Sequence, residues 1–219
     1  GEALQCPTLL FNGYGGHRIE GIGDKHVPWV MNMKNIDLVA GIDDEPNIRI
    51  MRLFNESAGH TVLKANGVPA EIVDKLHLLG ISSIANIMGA IKMAKYYEMN
   101  ENDCIFTVAT DSMEMYQSRI KEANEKYGTY TNVDAEVDYK GKLMDIGTDF
   151  IIETTYLDKK RMHNLKYFTW IEQQGKTVEE INDQWYNDKY WDNHYSIADE
   201  MDEKIIEFNE RTGLIKKYI

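Results

Sequence analysis

Apolar positions along this chain fall into two regimes. Over the first 127 residues, short continuous apolar runs are separated by stretches of helical period. The run headed by Thr8-Leu-Leu-Phe11 predicts a buried strand over 8–14, and Asp37-Leu-Val-Ala-Gly-Ile-Asp43 predicts a second. Cys104-Ile-Phe-Thr-Val-Ala-Thr110 is continuous and rich in β-branched residues, as a buried parallel strand is. Between these runs, Asp43-Asp-Glu-Pro46 places acids and a proline at a helix start, and Ile48, Met51 and Leu53-Phe54 continue it at helical spacing. A further helix is predicted over 69–78, stopped at Gly80. The clearest helix is 82–98, with Ile84, Ile87, Met88, Ile91 and Ala94 on one period and Ser82 or Ser83 as N-cap. Another starts at Asp111-Ser112 and runs to about Lys126. Strands alternating with helices predict an α/β fold, a three-layer parallel sheet with helices on both faces.

Beyond residue 127 the pattern changes. Residues 128–150 alternate Gly, Thr, Asp and Lys with single apolar residues, which predicts a linker or surface excursion. Residues 151–219 read as a helical, aromatic-rich extension. Thr177-Val-Glu-Glu180 is a capping box, and Gly175 and Gly213 are helix stops. Trp170, Trp185 and Trp191 predict packing on the α/β body or on a partner subunit, because such a stretch is too thin for a core of its own.

Composition narrows the function classes. Hydrophobic residues are 43% and charged residues 27%, the balance of a globular protein. A net charge of -12 argues against nucleic acid or an anionic membrane as partner. It leaves an anionic cofactor open, since backbone N–H groups can hold a phosphate. No apolar run approaches the ~18 residues of a membrane span. Cys6 and Cys104 are expected to be reduced thiols of a cytoplasmic protein, Cys104 as a buried structural one. The six histidines show no ligand spacing, so no metal site is expected.

Chemistry concentrates in the glycine-dense segment 13–28, which follows the first apolar run. Such a loop suits a cofactor, a dinucleotide or simple turn geometry; for a dinucleotide, Gly13-Tyr-Gly15-Gly16 lacks a third glycine at the required spacing. Three ordered motifs favour the first of these. Gly16-His-Arg-Ile-Glu-Gly-Ile-Gly23 with Val27-Pro28, Gly80-Ile-Ser-Ser83 with Ala90-Ile-Lys-Met-Ala94, and Val108-Ala-Thr-Asp-Ser-Met-Glu-Met-Tyr116 occur in sequence. Together they resemble the cysteine synthase family of fold type II enzymes, which depend on pyridoxal phosphate. The resemblance covers about residues 8–120.

The resemblance implies that Gly21, Ile22 and Gly23 run beside the cofactor ring. It also implies that the residue bonding the pyridine nitrogen, a serine in cysteine synthases, is Asp111 in an ungapped alignment, or Ser112 or Thr110 after a one-residue shift. Asp111 and Ser112 could equally be helix caps. A carboxylate there would keep the ring nitrogen protonated and strengthen the ring as an electron sink. That chemistry suits β-elimination or β-replacement on a small amino acid. Glu20 stands where the family has Gln. The family's cofactor-carrying lysine and phosphate cradle lie upstream of the Gly-Ile-Gly segment, and no lysine precedes Gly13 here. Family order argues against Lys25 in that role. The chain is therefore expected to be the C-terminal part of such an enzyme, with no catalytic residue of its own, completed by an N-terminal half or partner subunit in a homo-oligomer. A non-catalytic scaffold subunit and a nucleotide-binding α/β protein are the alternatives.

Overall fold

A computed structural model describes residues 1–213. The elements run β1 (Glu2–Ala3), α1 (Thr8–Phe11), β2 (Leu38–Ile42), α2 (Asp44–Asn55), α3 (Ser57–Ala65), α4 (Ala70–Val73), α5 (Ile81–Tyr96), α6 (Gln117–Tyr127), α7 (Asn132–Asp138), β3 (Ile151–Glu153), α8 (Tyr156–Asn164), α9 (Val178–Tyr186), α10 (Tyr190–Tyr195) and α11 (Ala198–Thr212). The molecule is α/β, but its sheet is small and mixed rather than a three-layer parallel one. Central β2 pairs in parallel with β1 (Glu2 opposite Gly41) and antiparallel with β3 (Val39 opposite Ile152).

The side-chain period of two along β2 builds the core on both sides. Ile42 joins a cluster with Ile50, Met51 and Leu53 of α2, Leu63 of α3 and Ile81 and Ile84 of α5. Val39 faces a second cluster of Leu10, Val27, Met33, Met162 and Trp185. The helix predicted from Asp43 forms as expected, with the Asp43 side chain accepting from Glu45 N. Its Arg52 is buried over the Tyr130 ring and donates to Glu56, Asn124 Oδ1 and Gly128 O, which ties α2 to α6.

Several expectations are corrected. Residues 8–11 form a turn of helix, not a strand, because the buried Glu2 carboxylate accepts from Leu9 N (2.9 Å) and Leu10 N (2.8 Å). The 69–78 helix is a short α4 followed by a 3₁₀ turn at Leu76–Leu78. Gly80, not Ser82 or Ser83, is the N-cap of α5. Residues 104–110 form no strand and, apart from half-buried Ile105, are exposed, so Cys104 is exposed rather than buried. The 128–150 stretch is no excursion: α7 and a π-helix at Tyr139–Met144 pack on α2, and Tyr130, Ala135 and Ile146 are buried in the first cluster.

The tight corner between α2 and α3 depends on Gly59. A Cβ there would lie 2.0 Å from Leu53 O and 2.6 Å from Leu53 C. Backbone cannot yield as a side-chain tip can, so Gly59→Ala is expected to lower stability by about 2 kcal/mol, the cost of overpacking. An unchanged urea midpoint would contradict this geometry.

The extension packs on the body through the loop that follows the glycine segment. Lys166 is fully buried and donates to Trp29 O (2.9 Å), Met31 O (2.8 Å) and Gln184 Oε1 (2.6 Å). Burial pushes its ammonium down to about 8. Trp170 Nε1 donates to Val27 O, and Arg161 reaches Leu9 O and Asn12. The Thr177 capping box forms as predicted. α11 has no buried residue and keeps Met201, Ile205 and Phe208 about half exposed. Among the described residues no helix is long and apolar enough to cross a membrane.

Candidate functional site

The glycine segment is held in shape by its own neighbours. Thr8 Oγ1 lies 3.1 Å from Gly13 O and 2.9 Å from Asp24 O, joining the two ends of the loop. The His17 ring reaches Gly23 O at 2.7 Å. Gly21 (φ +95°) and Gly23 (φ +85°) sit in the left-handed region, where a side chain is strained. A Cβ on Gly23 would also lie 2.7 Å from Ala3 Cβ. Both glycines are thus required by the fold itself, whatever lies outside. Gly21, Ile22 and Gly23 line an open cleft of about 500 Å³ with Cys6, Tyr14 and Lys25.

The three motifs singled out in the sequence converge on this loop. A Cβ on Gly21 would come within 3.1 Å of Ser82 Oγ. Ser82 Oγ in turn lies 2.6 Å from Thr110 Oγ1, and Ser83 Oγ lies 3.1 Å from the same atom while accepting from Thr110 N at 2.8 Å. Gly80 N donates to Asp111 O at 2.7 Å, and a Cβ at residue 80 would stand 2.5 Å from that oxygen. The first turn of α5 is therefore stitched to residues 110–111 from both sides.

Asp111 is partly buried, and its Oδ2 accepts from the Tyr116 hydroxyl at 2.7 Å. That bond, followed by desolvation, holds the Tyr116 phenol above its usual range. Ser112 precedes the 3₁₀ turn Met113–Tyr116 without capping it. Glu20 is ion-paired with Arg119 through Oε1, and its buried Oε2 has no partner among the described residues. The hydroxyl cluster of Ser82, Ser83 and Thr110 escaped the sequence reading, which took the serines for caps. Two serines opening a helix carry no mark of a contact 27 residues away. No cluster of three or more metal-ligating side chains occurs among the described residues.

Cysteine synthase B of Campylobacter jejuni subsp. jejuni serotype O:2 (strain ATCC 700819 / NCTC 11168) is 28% identical to this chain over 117 residues. The chain resembles a cysteine synthase. The aligned part is 53% of this chain and 32% of that enzyme, so the similarity spans about a third of the relative's length. No family model matches the chain, and no solved structure matches it. The similarity is weak and partial, and it points to the cysteine synthase superfamily at that coarse level.

Proposed function

We propose that this chain is the C-terminal portion of a pyridoxal-phosphate-dependent enzyme, forming one wall of the cofactor site and completed by a half that carries the lysine and the phosphate cradle. The observation that carries this reading is the meeting of three separated segments at one place: Gly21 against Ser82, Ser82 on Thr110, and Gly80 on Asp111. The similarity to about a third of a cysteine synthase supports a place in an enzyme of that superfamily. The residues present fit one side of the cofactor: Gly21, Ile22 and Gly23 line an open cleft, and Thr110 and Asp111 are tied to its Gly21 rim through Ser82 and Gly80.

Pyridoxal phosphate, when bound, supplies an electron sink for a carbanion at the substrate Cα. The chain's own residues position and tune. Gly21 and Gly23 allow the left-handed backbone that shapes the wall of the cleft. Asp111, oriented by the Tyr116 hydroxyl, would hold a protonated ring nitrogen, while Thr110, backed by Ser82 and Ser83, would be the neutral alternative at the neighbouring position. Ser112 stands next in line. The reaction class is β-elimination or β-replacement on a small amino acid, in the cytoplasm, within an oligomer. A scaffold role is the second reading, favoured by the purely structural need for Gly21 and Gly23.

The test mixes the chain with pyridoxal phosphate and with the part of the Campylobacter cysteine synthase B outside the matched region, made as a separate polypeptide. A protein-bound visible absorbance is expected, and Asp111→Ala is expected to shift it, whereas Ser112→Ala leaves it in place. A mixture in which no visible absorbance stays with the protein after gel filtration overturns the reading in favour of the scaffold. An unchanged spectrum in Asp111→Ala moves the ring contact to Thr110.

A further inference from the structure

Residues 105–109 are the most anomalous segment of the molecule. Ile-Phe-Thr-Val-Ala has the composition of a strand buried on both faces, yet Phe106 is 94% and Val108 68% exposed. Among the described residues, the backbone N–H groups of 104–109 have no hydrogen-bond partner. The segment is nonetheless pinned in place. Asn86 Nδ2 donates to Val108 O at 3.0 Å, and Thr110 N donates to Ser83 Oγ at 2.8 Å. It is an irregular stretch fixed along α5 with the N–H groups of 104–109 free.

Beside it runs a groove of about 470 Å³. It is lined by Ile105–Thr107, by Asp37, Leu38 and Ala40 at β2, and by Ala85, Gly89 and Ala90 of α5 with Met93 and Tyr97 beyond them. A strand in a packed sheet fills about 160 Å³ per residue, from a 3.3 Å rise, ~4.8 Å to its neighbours and ~10 Å between layers. The groove therefore has room for about three residues of extended chain. The small residues Ala85, Gly89 and Ala90 let a backbone approach α5 closely, and the unpaired stretch 105–107 lies beside them. Such an edge, unprotected by charge, proline or a bulge, is a template for pairing.

We infer that the slot between β2 and residues 105–107 receives a β-strand from the complementary half, with small or β-branched apolar side chains turned toward α5 and its backbone paired to Ile105–Thr107. This rests on the reading that such a half exists. It adds where that half grips this chain, and it links the grip to the site, because the segment leads directly into Thr110 and Asp111. The inserted strand would hold both at a fixed height against the glycine loop.

Amide hydrogen exchange on the full chain tests this, alone and with the same Campylobacter polypeptide used above. The amides of 105–107 are expected to exchange without protection in the chain alone and about 100-fold more slowly in the complex. Phe106→Asp, at an exposed position, is expected to leave the chain's own melting unchanged and to weaken the complex at least about tenfold. A complex that colours with pyridoxal phosphate while 105–107 exchange freely overturns the slot and leaves the proposed function standing. Absence of any complex overturns both. Protection in the chain alone, with a doubled mass in sedimentation, means that a second copy covers the edge and overturns the slot.

Discussion

Trp185→Ala is expected to lower the free energy of unfolding by about 4 kcal/mol, the usual cost of emptying a large buried aromatic site. Trp185 is 4% exposed and centres the second core cluster with Leu10, Val27, Met33, Val39 and Met162. Its ring meets Tyr156 edge-on at 5.6 Å and His163 at 5.1 Å, and its Nε1 lies 3.3 Å from the Tyr156 hydroxyl. Lys160 lies over the same ring at 4.6 Å. The loss should reach the candidate site, because Val27 and Met33 frame the loop that leaves the glycine segment, and Lys166 of the same extension holds Trp29 O and Met31 O. Equilibrium urea unfolding gives the magnitude. Trp185→Phe keeps most of the buried area and should cost no more than about 1.5 kcal/mol. If Trp185→Ala unfolded at the same urea concentration as the parent, the extension would not be part of the cooperative core.

What the sequence made legible follows from how local each signal is. β2, α2 and the Thr177 capping box were readable because a few adjacent residues specify them: four buried positions in a row, an Asp43 cap ahead of acids, and a reciprocal Thr–Glu pair. The helical turn at Thr8–Phe11 was not, because four apolar residues suit either structure and the deciding group is the carboxylate of Glu2, six residues upstream. Residues 132–144 looked like an excursion because their apolar positions are sparse. They acquire a face only against α2, where Asp138, fully buried, accepts from Tyr130 and pairs with Arg49. The strand reading of 104–110 took apolar composition for burial, but burial on both faces requires neighbouring strands, and no strand among the described residues lies beside it. For the site, the motif resemblance brought the right three segments together. The hydroxyl contacts that join them depend on packing that no spacing encodes.

Stability should rise with pH between 4 and 6.5 through one residue of the extension. His163 is 2% exposed, and burial, followed by the charge of Lys166, pushes its imidazole down to about 4 from an ordinary 6.5. Lys160 and Lys34 act in the same direction, and only the bond to Ile181 O at 3.0 Å opposes them. The sign follows from proton counting. Between these two values the unfolded chain binds a proton that the folded chain refuses, so the contribution is complete above pH 6.5 and disappears as pH falls to 4. A shift of this size is worth on the order of 3 kcal/mol in total, of which about 2 kcal/mol should be lost by pH 5. Asp44 and Glu45 also have lowered values: burial would raise them, but the Arg18 hydrogen bonds prevail. Their stabilisation is lost only as pH falls below about 4.5, so the interval from 6.5 to 5 isolates the histidine from them. Glu2 is raised by burial and works in the opposite sense, which makes the comparison with His163→Gln the decisive one. Glutamine can still donate toward Ile181 O but does not titrate. Urea unfolding of both proteins at pH 7 and pH 5 should show the parent losing about 2 kcal/mol more than the variant. Equal losses would mean that His163 takes its proton while folded, and that the pocket formed by Trp185 and Lys166 is open to water at acid pH.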